Sequence, residues 1–213
     1  GRSLNKEKKY CLFFTGSRPK HFRYAFPFML DVINALPETF AMTPLIVISP
    51  FIKESEAEEA VKKAKAKNIN CLSGNALEIM RISHFLVTIP GTNTAEALYM
   101  NLPLLMTLPL TKPNAIILDG LLGLICQIPL LGVWIKKIGI SLTLRKKPHF
   151  ALPNIIAGKE IIPELVGQVT ATDIANKLIS IKENQIRQIK ENYLLINKTN
   201  SITEKINAFI INY

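Results

Sequence analysis

One stretch near the middle of the chain has the pattern of a strand, a tight loop, a helix and a second strand. Residues 85–89, Phe-Leu-Val-Thr-Ile, are apolar and rich in residues that favour a parallel strand buried on both faces. The loop Pro90–Asn93 interrupts this run, and residues 94–100 have helix-forming composition. Residues 101–103 end in a proline that stops the helix, and a second apolar run occupies residues 104–108. The stretch therefore predicts one β-α-β unit.

The start of the predicted helix offers unpaired backbone N–H groups next to Gly91, which permits close approach of a ligand. The expected occupant at this edge of a parallel sheet is an anion, most often a phosphate. Glu96 has two interpretations, because Asn93 and Glu96 also have the spacing of a capping box, in which the carboxylate bonds back to the helix start. Spacing alone leaves the ligand role and the capping role of Glu96 open.

The preceding residues repeat this alternation of strands and helices. The sequence predicts strands at residues 10–15, 43–49 and 70–72, and helices at residues 21–36, 54–67 and 77–82. This order favours an α/β fold, a Rossmann-like doubly wound parallel sheet with its ligand at a topological switch point. Two more loops at the ends of strands are then expected at the same crevice. They contain Gly16, Ser17 and Arg18 after the first strand, and Gly74 and Asn75 after the third.

Arg18 is the side chain of these loops best suited to a phosphate. Its guanidinium group can hold two phosphate oxygens at once. The alternative is a surface arginine without a partner, which is common for arginines in loops.

Composition indicates a globular chain that suits one α/β domain or two small ones. The 213 residues are 48% hydrophobic. The cysteines Cys11, Cys71 and Cys126 are widely separated in apolar surroundings, which predicts core thiols in a reducing compartment. The sequence contains no cluster of metal ligands, so we expect no metal. It also contains no Ser-His-Asp set of the kind that hydrolases use for nucleophilic catalysis.

The net charge of +10 suits an anionic surface, either nucleic acid or a membrane. No RNA- or DNA-binding motif accompanies the charge, so we expect no nucleic-acid partner. Residues 114–140 form an apolar, glycine-rich insertion, and its uncharged part, residues 120–135, is shorter than the roughly 20 residues of a spanning helix. It is either a hairpin packed on another domain or an interfacial segment. The second is favoured, because Trp134 and the basic residues 136–137 and 145–147 could rest on anionic headgroups.

The last part of the chain is predicted to be helical. Thr172 and Asp173 are expected to cap one long amphipathic helix that continues to about Ile196, and Ser201 opens another. The C-terminal helices thus cover about residues 172–213.

Three segments, taken in order, resemble lipid-A-disaccharide synthases, which are glycosyltransferases of the GT-B fold. They are Phe14–Arg18, Pro90–Glu96 and Leu152-Pro153-Asn154-x-x-Ala157-Gly158-x-Glu160-x-x-Pro163-Glu164-Leu165, the most specific of the three. The resemblance implies one nucleotide-sugar-binding domain over residues 1–213, with its core at about residues 10–180, which is the carboxyl-terminal half of such an enzyme. It also implies that the amino-terminal acceptor domain, with the acceptor-activating base, is absent. The chain departs from the family at Pro90-Gly91-Thr92, where the family usually has Ser-Gly-Thr.

The resemblance further implies a donor and a set of ligands. The donor would be a UDP-diacylglucosamine whose acylated glucosamine is transferred to a lipid acceptor at the membrane surface. Arg18 would neutralise the diphosphate, the amides of residues 91–94 would cradle it, Glu96 would hold the ribose hydroxyls and Asn154 would line the donor site. No cofactor is implied. The complete predicted site consists of Gly16, Ser17, Arg18, Gly74, Asn75, Gly91, Thr92, Asn93, Thr94, Glu96 and Asn154.

The predicted setting is cytoplasmic, with peripheral binding to the inner face of a membrane. The expected partners are the donor, an anionic membrane surface and the missing amino-terminal domain, and a homodimer is possible. The chain alone would be inactive as an enzyme. Two alternatives stay open, namely a non-catalytic membrane-docking module of the same fold and another UDP-sugar enzyme such as an epimerase.

Overall fold

The computed structural model describes residues 5, 7–16, 19–48, 52–64, 69–109 and 149–198, with the backbone alone at residues 19–21 and 54. Within them, six parallel strands form one sheet in the order β3-β2-β1-β4-β5-β6. The strands are β1 (Tyr10–Phe14), β2 (Thr43–Ile48), β3 (Asn70–Ser73), β4 (Phe85–Thr88), β5 (Leu104–Pro109) and β6 (Glu164–Gly167). The helices are α1 (Pro19–Asn34), α2 (Glu54–Lys63), α3 (Ala76–Arg81), α4 (Asn93–Tyr99), α5 (Leu152–Ala157), α6 (Ala171–Ser180) and α7 (Glu183–Lys198).

The strand order confirms the predicted doubly wound sheet. The chain builds outward from β1 to β3 and then returns to the other side of β1 with β4, so the order reverses between β1 and β4. Every residue of β1 and β4 is buried, as expected for apolar strands covered on both faces. Cys11 is fully buried in β1, and burial raises the pKa of its thiol. Cys71 is half-buried, and Cys126 lies outside the described residues.

The prediction of a single helix over residues 172–196 is wrong, because the chain breaks after α6. The backbone of Ile181 is extended, with φ −73° and ψ 115°, which ends α6. The amide of Lys182 then donates to Oε1 of Gln185 at 2.9 Å, which caps the start of α7. The amphipathic pattern continues across the break and therefore does not reveal it.

The cap of α6 lies two residues earlier than predicted. Oγ1 of Thr170 accepts from the amide of Asp173 at 3.2 Å, and Oδ2 of Asp173 accepts from the amide of Thr170 at 2.9 Å, which is a capping box. The helix predicted from Ser201 lies outside the described residues.

The register of β6 brings the segment after the apolar insertion to the carboxyl edge of the sheet. Thr88, the last residue of β4, pairs with Met106, and Met106 pairs with Glu164, the first residue of β6. Strand β6 therefore begins at the level where β4 ends. The insertion at residues 114–140 lies outside the described residues, and no helix among those described is long and apolar enough to cross a membrane.

Candidate functional site

The switch point between β1 and β4 is held together by one buried hydroxyl. Phe14 and Thr88 are paired at the ends of the two strands. Oγ1 of Thr88 lies 3.1 Å from the carbonyl oxygen of Ile89 and 3.5 Å from that of Phe14, and it accepts a hydrogen bond from Nδ2 of Asn93. The ends of both strands and the start of α4 are thus linked at the crevice predicted to bind an anion.

Asn93 and Gly91 form the tight loop that follows β4. Asn93 is only 4% exposed, and its side chain bonds to Thr88, so this side chain has a structural role. A Cβ atom on Gly91 would lie 2.6 Å from Oδ1 of Asn93, closer than real contacts allow. A larger residue at position 91 would therefore displace the Asn93 side chain, which is bonded to Thr88. Asn93 can offer a ligand its backbone N–H.

The loop leaves three backbone donors available. The amides of Gly91, Thr92 and Asn93 have no acceptor in the part of the chain that the structure describes. The amide of Thr94 was predicted to join them, but it donates to the carbonyl of Gly91 at 3.1 Å. Oγ1 of Thr94 also donates to that carbonyl, at 2.9 Å, and accepts from the amide of Leu152 at 3.3 Å. Thr94 thus joins the loop to α5, and both of its donors are already used.

Glu96 does not form the capping box that its spacing allows. The residue before the first residue of α4 is Thr92, and Asn93 is already helical with its side chain turned to Thr88. The half-buried carboxylate of Glu96 has no hydrogen bond or ion pair with any described residue, and burial raises its pKa. A desolvated acceptor of this kind favours a polar ligand, because burial without a partner is unfavourable.

The loop after β1 contributes a polar group that the sequence analysis missed. Thr15 is fully buried, and its hydroxyl has no hydrogen-bond partner among the residues described. Gly16 follows with φ 88°, a left-handed conformation that favours glycine and turns the chain away from the sheet. A polar residue directly between a buried strand and a glycine was the available signal. Ser17 and Arg18 lie outside the described residues.

Gly74 and Asn75 lie at the same edge of the sheet but farther along it. They follow β3, which is separated from β1 by β2. With about 4.8 Å between neighbouring strands, the end of β3 lies roughly 10 Å from that of β1 and 14 Å from that of β4. Oδ1 of Asn75 accepts from the amide of Leu77 at 3.0 Å and so caps α3. The structure gives Asn75 a structural role and does not bring it to the Gly91 loop.

Asn154 was predicted to line the donor site, yet its amide group is occupied by the chain itself. Oδ1 accepts from the amides of Ile161 and Ile162 at 2.7 and 2.9 Å. Nδ2 donates to the carbonyl of Ile162 at 2.9 Å and to Oε1 of Glu164 at 2.7 Å. The side chain is fully buried, and these bonds use its whole capacity, which favours a structural role.

Glu164 completes this arrangement, although the sequence assigned it no role. Its two carboxylate oxygens accept from the amides of Phe150 and Ala151, each at 3.0 Å, in addition to Asn154. Since Leu152 bonds to Thr94, the motif over residues 152–165 braces the loop that carries the free amides.

The loop after β4 thus presents backbone N–H donors, and the carboxylate of Glu96 follows in the first turn of α4. Amides suit a phosphate, and a carboxylate suits hydroxyl donors such as those of a sugar. No group of three His, Cys, Asp or Glu residues that could hold a metal ion occurs within the described ranges.

Comparison with known families decides the relationship. The sequence model of the family described as lipid-A-disaccharide synthetase matches residues 2–210. The chain belongs to this family. Lipid-A-disaccharide synthase 2 of Legionella pneumophila (strain Paris) is 27% identical over 184 residues, which are 80% of this chain and 40% of that protein. The lipid-A-disaccharide synthase of Idiomarina loihiensis is 25% identical over 194 residues, 89% of this chain and 45% of that protein. The chain spans less than half the length of these relatives.

Solved structures show the same fold at low sequence identity. The crystal structure of TarM has a TM-score of 0.51 and 13% identity, and the match covers 94% of this chain and 34% of that one. The pneumococcal O-GlcNAc transferase GtfA, solved with UDP and GlcNAc, also has a TM-score of 0.51 and 13% identity, over 97% of this chain and 36% of that one. The Rossmann-like sheet is thus a fold found in GT-B glycosyltransferases, as the resemblance predicted.

Proposed function

We propose that this chain is the donor-binding half of a glycosyltransferase like lipid-A-disaccharide synthase. The UDP part of an acylated glucosamine donor binds in the crevice between β1 and β4. The observation that carries this proposal is Glu96, whose half-buried carboxylate has no described partner although three unpaired amides lie in the loop just before it. Membership of the family and the fold that this chain shares with the UDP-bound GtfA support it.

Each group in the crevice has a chemical task in this proposal. The amides of Gly91, Thr92 and Asn93 and the guanidinium of Arg18 bind the diphosphate, and Glu96 accepts hydrogen bonds from the ribose hydroxyls. In the transfer, an acceptor hydroxyl forms the new bond to the sugar carbon while the bond from that carbon to the diphosphate oxygen breaks. Negative charge then develops on the leaving UDP, and the fixed donors stabilise it. The base that removes the acceptor proton belongs to the amino-terminal half of the enzyme.

The setting we propose is the cytoplasmic face of a membrane. The acyl chains of the donor stay in the bilayer, so the domain has to approach the surface to reach the UDP group. The net charge of +10 and the uncharged stretch at residues 120–135 support such peripheral binding. The full reaction therefore needs this domain, the amino-terminal half and the membrane together.

Calorimetry with UDP and uridine tests the proposal. UDP carries both the diphosphate and the ribose, whereas uridine carries only the ribose, so the two ligands distinguish residues that bind the diphosphate from residues that bind the ribose. Arg18→Ala should weaken UDP binding by about 1.5–3 kcal/mol, the range for a hydrogen bond to a charged group, and leave uridine binding unchanged. Glu96→Gln should weaken both ligands by the same factor, because both carry the ribose hydroxyls. Arg187→Ala, at an exposed position of α7, is the control for general charge.

Two results would overturn the assignment. Equal UDP affinity in Arg18→Ala and in the original chain would remove the diphosphate role of Arg18. Absence of UDP binding would leave the fold as a non-catalytic module.

A further inference from the structure

A second cleft lies at the amino edge of the sheet, at the opposite end of the strands from the crevice. Its volume is about 850 Å³. The start of β1, the turn before β4, the residues after α4 and one side of α7 surround it. Tyr10 and His84 line it, whereas Gly16 follows the other end of β1. Six residues of extended chain separate Tyr10 from Gly16, a distance of roughly 20 Å.

The lining of this cleft is basic. Lys8, Arg81 and Lys190 contribute side chains from three separate parts of the chain, and no Asp or Glu lines it. None of the three forms a salt bridge with a residue that the structure describes. The nearest acid is Glu183, which interacts with Lys190 but is bound to Lys9. Cations from three parts of the chain in one cleft, with no Asp or Glu in its lining, suit an anionic ligand, since like charges near one another are otherwise unfavourable.

His84 adds a donor whose orientation is set by the backbone. Nδ1 of His84 accepts from the amide of Tyr10 at 3.3 Å, which leaves Nε2 as the N–H of the neutral ring. Burial lowers the pKa of His84, and the charges of Lys190 and Lys9 lower it further, against a smaller opposing effect of Glu183. Glu183 is itself bound to Lys9 at 2.7 Å. The field around His84 is therefore positive.

Asn101 also lines the cleft, with a left-handed backbone of φ 56°. Its Oδ1 is buried without a hydrogen-bond partner among the described residues, and it is therefore not exposed to a ligand. The contacts to a ligand would come from the basic side chains and from Nε2 of His84. A phosphate monoester or hydrogen phosphate, which carries several anionic oxygens, suits these donors.

We infer that this cleft binds a soluble phosphate-bearing anion, at a site separate from the nucleotide crevice. A lipid headgroup offers the same chemistry, but the two sites lie at opposite edges of the sheet. If the crevice meets the acyl-linked donor at the bilayer, which rests on the proposed function, this cleft faces the solvent. The soluble source is therefore favoured.

Titration of inorganic phosphate into the chain saturated with UDP, at constant ionic strength, tests the inference. We expect saturable binding that falls about tenfold or more in the double variant Arg81→Gln/Lys190→Gln, which removes two charge-assisted contacts. Both positions are exposed, so the fold should be kept, and Lys8→Gln provides a second variant. Lys62→Gln, an exposed lysine of α2 outside the cleft, should bind phosphate normally.

The outcomes separate this site from the proposed function. Phosphate binding that depends on Arg81 and Lys190 supports the cleft even if UDP does not bind at all. No saturable phosphate binding, or equal affinity in the double variant, would overturn it. Flotation with phosphatidylglycerol vesicles tests a lipid headgroup as the ligand. If free phosphate does not bind, but the vesicles capture the original chain and not Arg81→Gln/Lys190→Gln, the ligand is a headgroup. The assignment of a soluble ligand would then be wrong.

Discussion

A methyl group on Gly91 would lie 2.6 Å from Oδ1 of Asn93, so the residue at position 91 is set by the side chain two positions later. The same Asn93 side chain bonds to Thr88 at the end of β4. This pair forms the loop and leaves its amides directed away from internal partners. The shape of the loop that we propose to bind an anion is therefore an outcome of packing at Asn93.

Gly91→Ala should destabilise the chain by about 1–3 kcal/mol in denaturant unfolding, the range for overpacking. Gly91 has no positive φ, so the clash with Asn93 is the expected cause. Asn93→Ala should also destabilise the chain, because Oγ1 of Thr88 loses the hydrogen bond that Asn93 donates to it. The double variant should then lower the free energy of unfolding by less than the sum of the two single variants. Full additivity would show that the contact is unimportant.

Glu96→Gln should raise the melting temperature at pH 7, although it weakens the binding of UDP. The folded pKa of Glu96 is raised, so its contribution to stability is fully present below the unfolded pKa of about 4.3 and is lost as pH rises through the folded pKa. The variant and the original chain should therefore melt at similar temperatures near pH 4. Glu160→Gln, at an exposed position, is the control. A lower melting temperature at pH 7 would support the capping role.

Asn154→Asp should destabilise the chain by about 2–4 kcal/mol at pH 7, because it places a second carboxylate against Glu164. The substituted group keeps its acceptor for Ile161 and Ile162 but loses both donated bonds. Because the two carboxylates repel each other, the loss should shrink as pH falls and one carboxyl is protonated. Asn184→Asp on the exposed face of α7 should have little effect. Destabilisation that is independent of pH would contradict the contact.

Vesicle flotation should show capture of the chain only by anionic lipid. Each basic residue near such a surface contributes roughly 1 kcal/mol, so high salt should release part of the protein. Replacing Leu130, Leu131 and Trp134 with serine should abolish the rest, because the apolar contribution is then lost.

A hairpin packed on another protein surface predicts the opposite behaviour. Neutral and anionic vesicles would then both fail to capture the chain, and light scattering without lipid would show self-association. That result would end the interfacial interpretation of residues 120–135.

Several features could be predicted from the sequence because they depend on local pattern. Buried apolar runs followed by Gly16 and Gly91 were enough to predict β1, β4 and the edge at which a ligand would bind. The break at Ile181 could not be seen, because hydrophobic periodicity is the same on both sides of it. Strand β6 is four residues long and only partly buried, so its pattern is too short to be recognised.

By itself, the sequence determined the alternation of strands and helices, the family and the position of Glu96 one turn into a helix. Only the tertiary structure shows which contacts Glu96 and Asn154 make among the described residues. Both are polar residues in motifs of the predicted site, but Asn154 is surrounded by amides and Glu164, whereas Glu96 has no described partner. The reason is that hydrogen-bond partners depend on the path of the folded chain, which brings Leu152 to Thr94 and turns the side chains of Asn93 and Asn154 toward Thr88 and Glu164. Spacing along the chain does not show which hydrogen-bond donors and acceptors the fold leaves without a described partner.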